Sequence, residues 1–183
     1  LRERLFDPLD MASTGFVVAP KDYARFATLY QLGDKGQTVF DTSPGDYAKK
    51  PQLLSGGGGI VSSARDYMRF GQMLLGRGQL GSVRVMKEAT AATMMSNLLQ
   101  NGVRDKEGNG YGAGGRIVLP GPTGRYGAPG SYGWGGHAST LFTVDPARRQ
   151  IMVFMTQRMP SDKSPAPREL PAAIAADLSM RGA

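Results

Sequence analysis

The chain has 183 residues, 40% hydrophobic and 20% charged, an ordinary globular balance with enough material for one hydrophobic core. With no cysteine and a single histidine, disulfides and thiolate metal sites are excluded and a zinc site would have to be mostly carboxylate, so no metal is expected. The net charge of +7 comes from 22 basic residues scattered from Arg2 to Arg181, without the basic stripe or stacking aromatics of a nucleic-acid surface. No apolar stretch approaches the ~20 residues of a membrane span, and no leader is recognisable. Because the first residue is Leu1, the chain is expected to be a piece of a longer protein.

In chain order, Leu1 to Phe6 reads as the last turn of a helix that Asp7-Pro8 ends, since proline disfavours helix at the residue before it. Pro20 opens a predicted helix with Tyr23, Phe26, Ala27 and Tyr30 on one face, stopped by Gly33 and Gly36. Residues 34 to 54 read as a surface excursion with one short strand near Thr38 to Phe40. In the four-glycine run Gly56 to Gly59, Gly57 to Gly59 predicts a tight backbone crossing before a helix; no cationic side chain follows it to suit a phosphate. Ser63 caps a helix, with Asp66 three residues on, Tyr67, Phe70 and Leu74 facing inward, and Gly76 and Gly78 ending it.

A weaker helix over Lys87 to Asn97 carries Met94 and Met95 as core filler. Residues 101 to 110 form a loop. Strands are predicted at 113–119, 131–137, 139–145 and 150–157, with Ser139 and Thr140 inside one of them. A proline-rich linker, 160–167, leads to a last helix near 168–180, where Leu170, Ile174 and Leu178 recur at i, i+4 and i+8. Helices followed by strands and a closing helix predict an α/β chain of the α+β kind: an antiparallel sheet flanked by helices.

Glycine, at 26 residues, is twice the usual ~7%. The segment Gly130-Ser131-Tyr132-Gly133-Trp134-Gly135-Gly136-His137 concentrates it around the only tryptophan. Glycines in a strand let a ligand or another backbone come close, and the indole supplies one large flat wall. Tyr111, Tyr126 and Tyr132 are candidates to border the same pocket. Gly110-x-Gly112-x-x-Gly115 has the letters of a dinucleotide loop, but it leads into a strand ending at Pro120, so no helix dipole is available for a pyrophosphate. No glycine-flanked serine elbow exists, and no serine has lysine three positions later.

Four ordered segments carry a resemblance. They are Phe6-Asp7-Pro8-Leu9-Asp10-Met11 with Thr14-Gly15-Phe16, Gly57-Gly58-Gly59-Ile60-Val61-Ser62-Ser63-Ala64-Arg65-Asp66, Tyr111-Gly112, and Trp134 to Gln157. Together they resemble the C-terminal half of the serine β-lactamase / penicillin-binding-protein superfamily, in the class C-like branch that includes family VIII-type carboxylesterases. Asp10 departs from that family's usual glycine.

The resemblance implies an incomplete β-lactamase/transpeptidase-like fold, with residues 1–110 as its helical and loop part and 111–183 as sheet strands plus the C-terminal helix. It places Trp134-Gly135-Gly136 at the family's Lys-Thr-Gly-like triplet, as substrate-binding residues. The tryptophan in first position is similar to the carboxylesterases and suits an uncharged ester better than a carboxylate-bearing β-lactam. It assigns the backbone N–H of His137 to the oxyanion hole. The family's Ser-x-x-Lys and tyrosine motifs are absent, so the nucleophile and its base are expected in a missing N-terminal half. No metal or organic cofactor is implied; the implied partners are that half and a small-molecule ester or amide, and the compartment, bacterial cytoplasm or periplasm, stays open. A non-catalytic binding or regulatory domain is the alternative.

Overall fold

The computed structural model describes residues 1–121 and 127–181. In chain order its elements are β1 (Leu29–Gly33), β2 (Gly36–Asp41), α1 (Ala64–Leu75), β3 (Gln79–Leu80), β4 (Val83–Arg84), α2 (Glu88–Met94), β5 (Gly110–Tyr111), β6 (Arg116–Ile117), β7 (Tyr132–Gly135), β8 (Leu141–Asp145), β9 (Gln150–Phe154), β10 (Arg158–Met159) and α3 (Ala166–Arg181). Strands β5 to β9 form one antiparallel sheet in sequence order. A second sheet runs β10-β1-β2, its β1–β10 pair parallel.

The register of β7 against β8 pairs Tyr132 with Val144 and Trp134 with Phe142. Because side chains alternate across a strand, these four share one face. Tyr132, Phe142 and Val144 pack there with Phe6, Leu9, Met11, Met73 and Leu74 in the main core, against which Met94 and Met95 also lie. The opposite face buries Val118, Leu141 and Met152 under Leu170 and Ile174 of α3. Two helical stripes therefore cover the two faces of one sheet. Leu178, the third residue of the predicted stripe, lies within α3, and Tyr126 lies outside the described residues.

The local chemistry of α1 explains its position. Ser63 Oγ accepts the N–H of Asp66, and Gly76 closes the helix. Asp66 is 1% exposed, and its Oδ2 accepts the Ser13 N–H at 2.7 Å and the Thr14 hydroxyl at 2.9 Å. One buried carboxylate thus ties the first segment of the chain to the helix. Asp66→Ala is expected to cost about 2–4 kcal/mol, since two buried donors lose their acceptor. A denaturant midpoint unchanged from the parent protein would rule that out. Asp10 sits at φ 50°, in the left-handed region where glycine is easiest, and its carboxylate pairs with Arg65 at 3.0 Å. That backbone requirement accounts for the glycine that the resemblance leads one to expect there.

Several expectations are corrected. The helix predicted from Pro20 to Gly33 is only a short 3-10 helix, Pro20–Arg25, and residues 29–33 form β1 instead. The 3–4 spacing of Tyr23, Phe26 and Tyr30 imitates a helix, but β1 gains ladders on both sides, from β2 and β10. Ser139 and Thr140 belong to a turn, Ser139 at φ 65°, so β8 begins only at Leu141. Of the glycine run, Gly59 alone is tightly packed: an added Cβ would meet the Ser55 carbonyl at 2.7 Å, whereas Gly56, Gly57 and Gly58 have open space. Tyr132 is a core residue, 4% exposed, and not a pocket rim.

Candidate active-site cleft

Trp134 lies on the core-facing side of β7, one alternation beyond Tyr132, where the hydrophobic core ends. It remains 42% exposed and is one wall of a cavity of about 360 Å³. Gly135 and Gly136 continue that wall, Phe142 and Tyr67 form the floor, and Phe26, Tyr47 and Gly57 face them. No Asp, Glu, Lys, Arg or His side chain lines this cavity among the described residues.

The indole is held from outside the cleft. Tyr111 meets it edge-on with ring centroids 5.4 Å apart, and the Arg116 guanidinium carbon lies 4.9 Å from its centroid, a cation–π geometry. Asp105 and Glu107 each grip Arg116 at 2.9 Å. Desolvation alone would raise the Asp105 carboxyl. Backbone bonds from Asn109 and Glu107, the charge of Arg116 and the Asn109 side chain outweigh it and hold that carboxyl below the ordinary carboxylate value.

A depressed carboxyl contributes stability above its unfolded value and loses it as pH falls through the folded one. The clamp is therefore intact at neutral pH and releases only in acid, below the ordinary carboxylate range. The fluorescence of Trp134, isolated as the difference from a Trp134→Phe variant, should stay constant from neutral pH down to the ordinary carboxylate range and change only below it. A transition centred near neutrality would contradict this.

After β7 the chain turns through residues 136–140. Gly136 N–H donates to the Thr140 carbonyl at 3.0 Å, and Ser139 N–H donates to Gly136 at 3.1 Å. The Ser139 hydroxyl donates to the Arg158 carbonyl, and the Thr156 hydroxyl to that of Ala138, both at 2.7 Å. Gly136 is required because a Cβ there would run into the Thr140 hydroxyl. This pinned turn leaves the His137 N–H without a protein acceptor among the described residues, and the imidazole exposed. His137 is at the end of the wall and is not one of the residues lining the cavity.

Two phenols lie near the floor. Burial pushes the Tyr67 hydroxyl up, and burial together with Tyr67 pushes Tyr132 up to about 12. Both are neutral at physiological pH, able to donate a hydrogen bond but poor bases. Tyr132 uses its proton on the Ala113 carbonyl at 2.9 Å.

The sequence-predicted residues Trp134, Gly135 and Gly136 thus come together on one wall, with Tyr111 behind it. Phe26, Tyr47 and Ser62, and Tyr67 of the floor, were not foreseen as part of a cleft; the sequence put Tyr67 on the inward face of its helix. Among the described residues no group of three or more acidic or histidine side chains is gathered for a metal, and no helix is long and apolar enough to cross a membrane.

The sequence model of the beta-lactamase family matches residues 1–177. Protein Rv1367c of Mycobacterium tuberculosis is 30% identical over 176 residues, which cover 86% of this chain and 42% of that protein. Among solved structures, the LovD6 mutant of simvastatin synthase from Aspergillus terreus superimposes with a TM-score of 0.81 at 21% identity, over 98% of this chain and 50% of that one. EstCE1, described as a hydrolase with promiscuous acyltransferase activity, gives 0.73 at 21% identity over 91% and 47%. A penicillin-binding protein homologue from Caulobacter crescentus gives 0.66 at 17% identity over 96% and 51%. These structures share the fold, which is β-lactamase/transpeptidase-like. The chain spans 42% of the length of the curated relatives and about half of these solved structures.

Proposed function

The chain belongs to the beta-lactamase family, and from that membership we propose that residues 1–183 are the C-terminal portion of a serine acyl hydrolase, lining its substrate cleft and supplying one oxyanion-hole amide. The nucleophilic serine and the groups that activate it come from preceding polypeptide, since no Ser-x-x-Lys occurs here. That serine attacks an ester carbonyl, the alcohol leaves, and water releases the acyl group. The negative oxygen of each tetrahedral intermediate takes a hydrogen bond from the His137 N–H, for which the pinned turn provides no internal acceptor. The neutral phenols of Tyr67 and Tyr132 agree with a base from elsewhere.

The observation that carries the preference for esters is the uncharged cavity lining with Trp134 at its head. A carboxylate-bearing lactam meets no cation among the residues lining this cavity, and Arg116, against the indole, is paired with two carboxylates. Complete protein should hydrolyse a short p-nitrophenyl ester at least about 100-fold faster than a cephalosporin, on the scale set by an unpaired buried charge. Equal rates, or a preference for the lactam, would overturn the assignment. A fluorophosphonate should label one upstream serine of the complete protein and leave the 183-residue chain alone unlabelled. Loss of Ser-x-x-Lys upstream would leave a binding domain instead.

A further inference from the structure

Ser62 joins two cavities. It lines the Trp134 cleft and also a second space of about 310 Å³, with Phe26, Val61 and Gln157 common to both, whereas the charged Arg2, Lys21, Asp22 and Arg25 line only the second. Ser62 therefore stands where the linings of the two spaces meet. The orientation of its hydroxyl follows from the groups behind it.

A carboxylate only accepts hydrogen bonds, and Asp66 Oδ2 takes the single hydroxyl proton of Thr14 at 2.9 Å. Thr14 Oγ1 then has only lone pairs for its 2.8 Å contact with Ser62 Oγ, so Ser62 is the donor in that pair. The other acceptor within reach of the Ser62 proton, the Ser63 carbonyl at 3.4 Å, also belongs to the protein. With its proton turned inward, Ser62 presents lone pairs to the cleft. Asp66 is 1% exposed and Thr14 is 4% exposed, so water does not compete with this arrangement.

We propose that Ser62 is a specificity-determining hydrogen-bond acceptor, polarised by Thr14 and Asp66, which selects esters bearing a hydroxyl or amide N–H at the junction of the two spaces. Thr14 is a positioning residue in this scheme and acts only through Ser62. The proposal rests on the acyl-hydrolase reading of the cleft and names the substrate feature that the uncharged wall leaves unspecified. An ether or tertiary amide at the same point offers a second acceptor to lone pairs and is disfavoured.

The test uses complete protein and a matched pair of p-nitrophenyl hydroxyalkanoates, one with the free hydroxyl and one with its methyl ether. The parent protein should favour the hydroxyl ester about tenfold in kcat/KM, the size of one net hydrogen bond. Ser62→Ala and Thr14→Val should each bring the hydroxyl-to-ether ratio of kcat/KM close to one, and Thr14→Ser should restore the preference. Turnover of both esters with no discrimination, or a ratio unmoved by Ser62→Ala, overturns the acceptor role and leaves the hydrolase reading standing. If neither ester turns over, binding of the corresponding non-hydrolysable hydroxy and methoxy ketones decides. Tighter hydroxy binding that Ser62→Ala abolishes supports the acceptor while the hydrolase reading falls, and equal binding overturns the acceptor as well.

Discussion

Placing proline at His137 should reduce kcat of the complete protein about 10²–10³-fold, the measured scale for removing one oxyanion donor, while His137→Ala leaves the rate within about threefold. The difference follows from the turn between Gly136 and Thr140, which holds the backbone of residue 137 with no partner for its N–H among the described residues. A role for the amide is indifferent to the imidazole; a role for the imidazole is not. Substitution of the amide by an ester linkage at His137 removes the same hydrogen without a proline ring and should reproduce the loss. KM should change little in every case, because the bond strengthens only as charge develops on oxygen. Equal losses in the alanine and proline variants would place the chemistry on the side chain instead.

The second large effect concerns the wall itself. Trp134→Ala should lower kcat/KM for an apolar ester about 10–100-fold, on the order of 1.5–3 kcal/mol for the apolar area an indole covers. Trp134→Phe should recover much of it. The loss has two parts: contact with substrate disappears, and Arg116 loses the ring 4.9 Å from its guanidinium carbon. Glu107→Gln, which weakens the grip on Arg116 but leaves the indole in place, separates them; it should raise KM more than it lowers kcat. An unchanged kcat/KM in the alanine variant would remove Trp134 from the substrate site.

What could be read in advance followed the range of the interactions. Helix α1 was legible because its signals are local: the Ser63 cap, the Asp66 partner and the Gly76 stop lie within 14 residues of one another. The same holds for β8 and β9, short apolar runs flanking the Asp145-Pro146 turn. Strand β1 was misread because its partner β10 is far along the chain, and nothing near Leu29 announces a parallel ladder with Arg158 and Met159. The site divided in the same way. Trp134, Gly135 and Gly136 stand out as an indole in a side-chain-poor strand, whereas the Asp105–Arg116 clamp and the Thr14–Ser62 contact join residues that only the fold brings together. Thr14 and Ser62 were visible only as letters of the resembling segments, and Asp66 as the partner of the Ser63 cap, but not as a directed chain of hydroxyls.

The central claim, that this wall borders a reactive serine contributed by preceding polypeptide, is tested most directly by a crystal structure of the complete protein carrying an alkyl phosphonate adduct. The account predicts the phosphonyl group on a serine upstream of this chain, its oxygen about 3 Å from the His137 nitrogen, and its alkyl chain against the indole of Trp134. A phosphonyl oxygen turned away from residue 137, with Trp134 untouched, would contradict it.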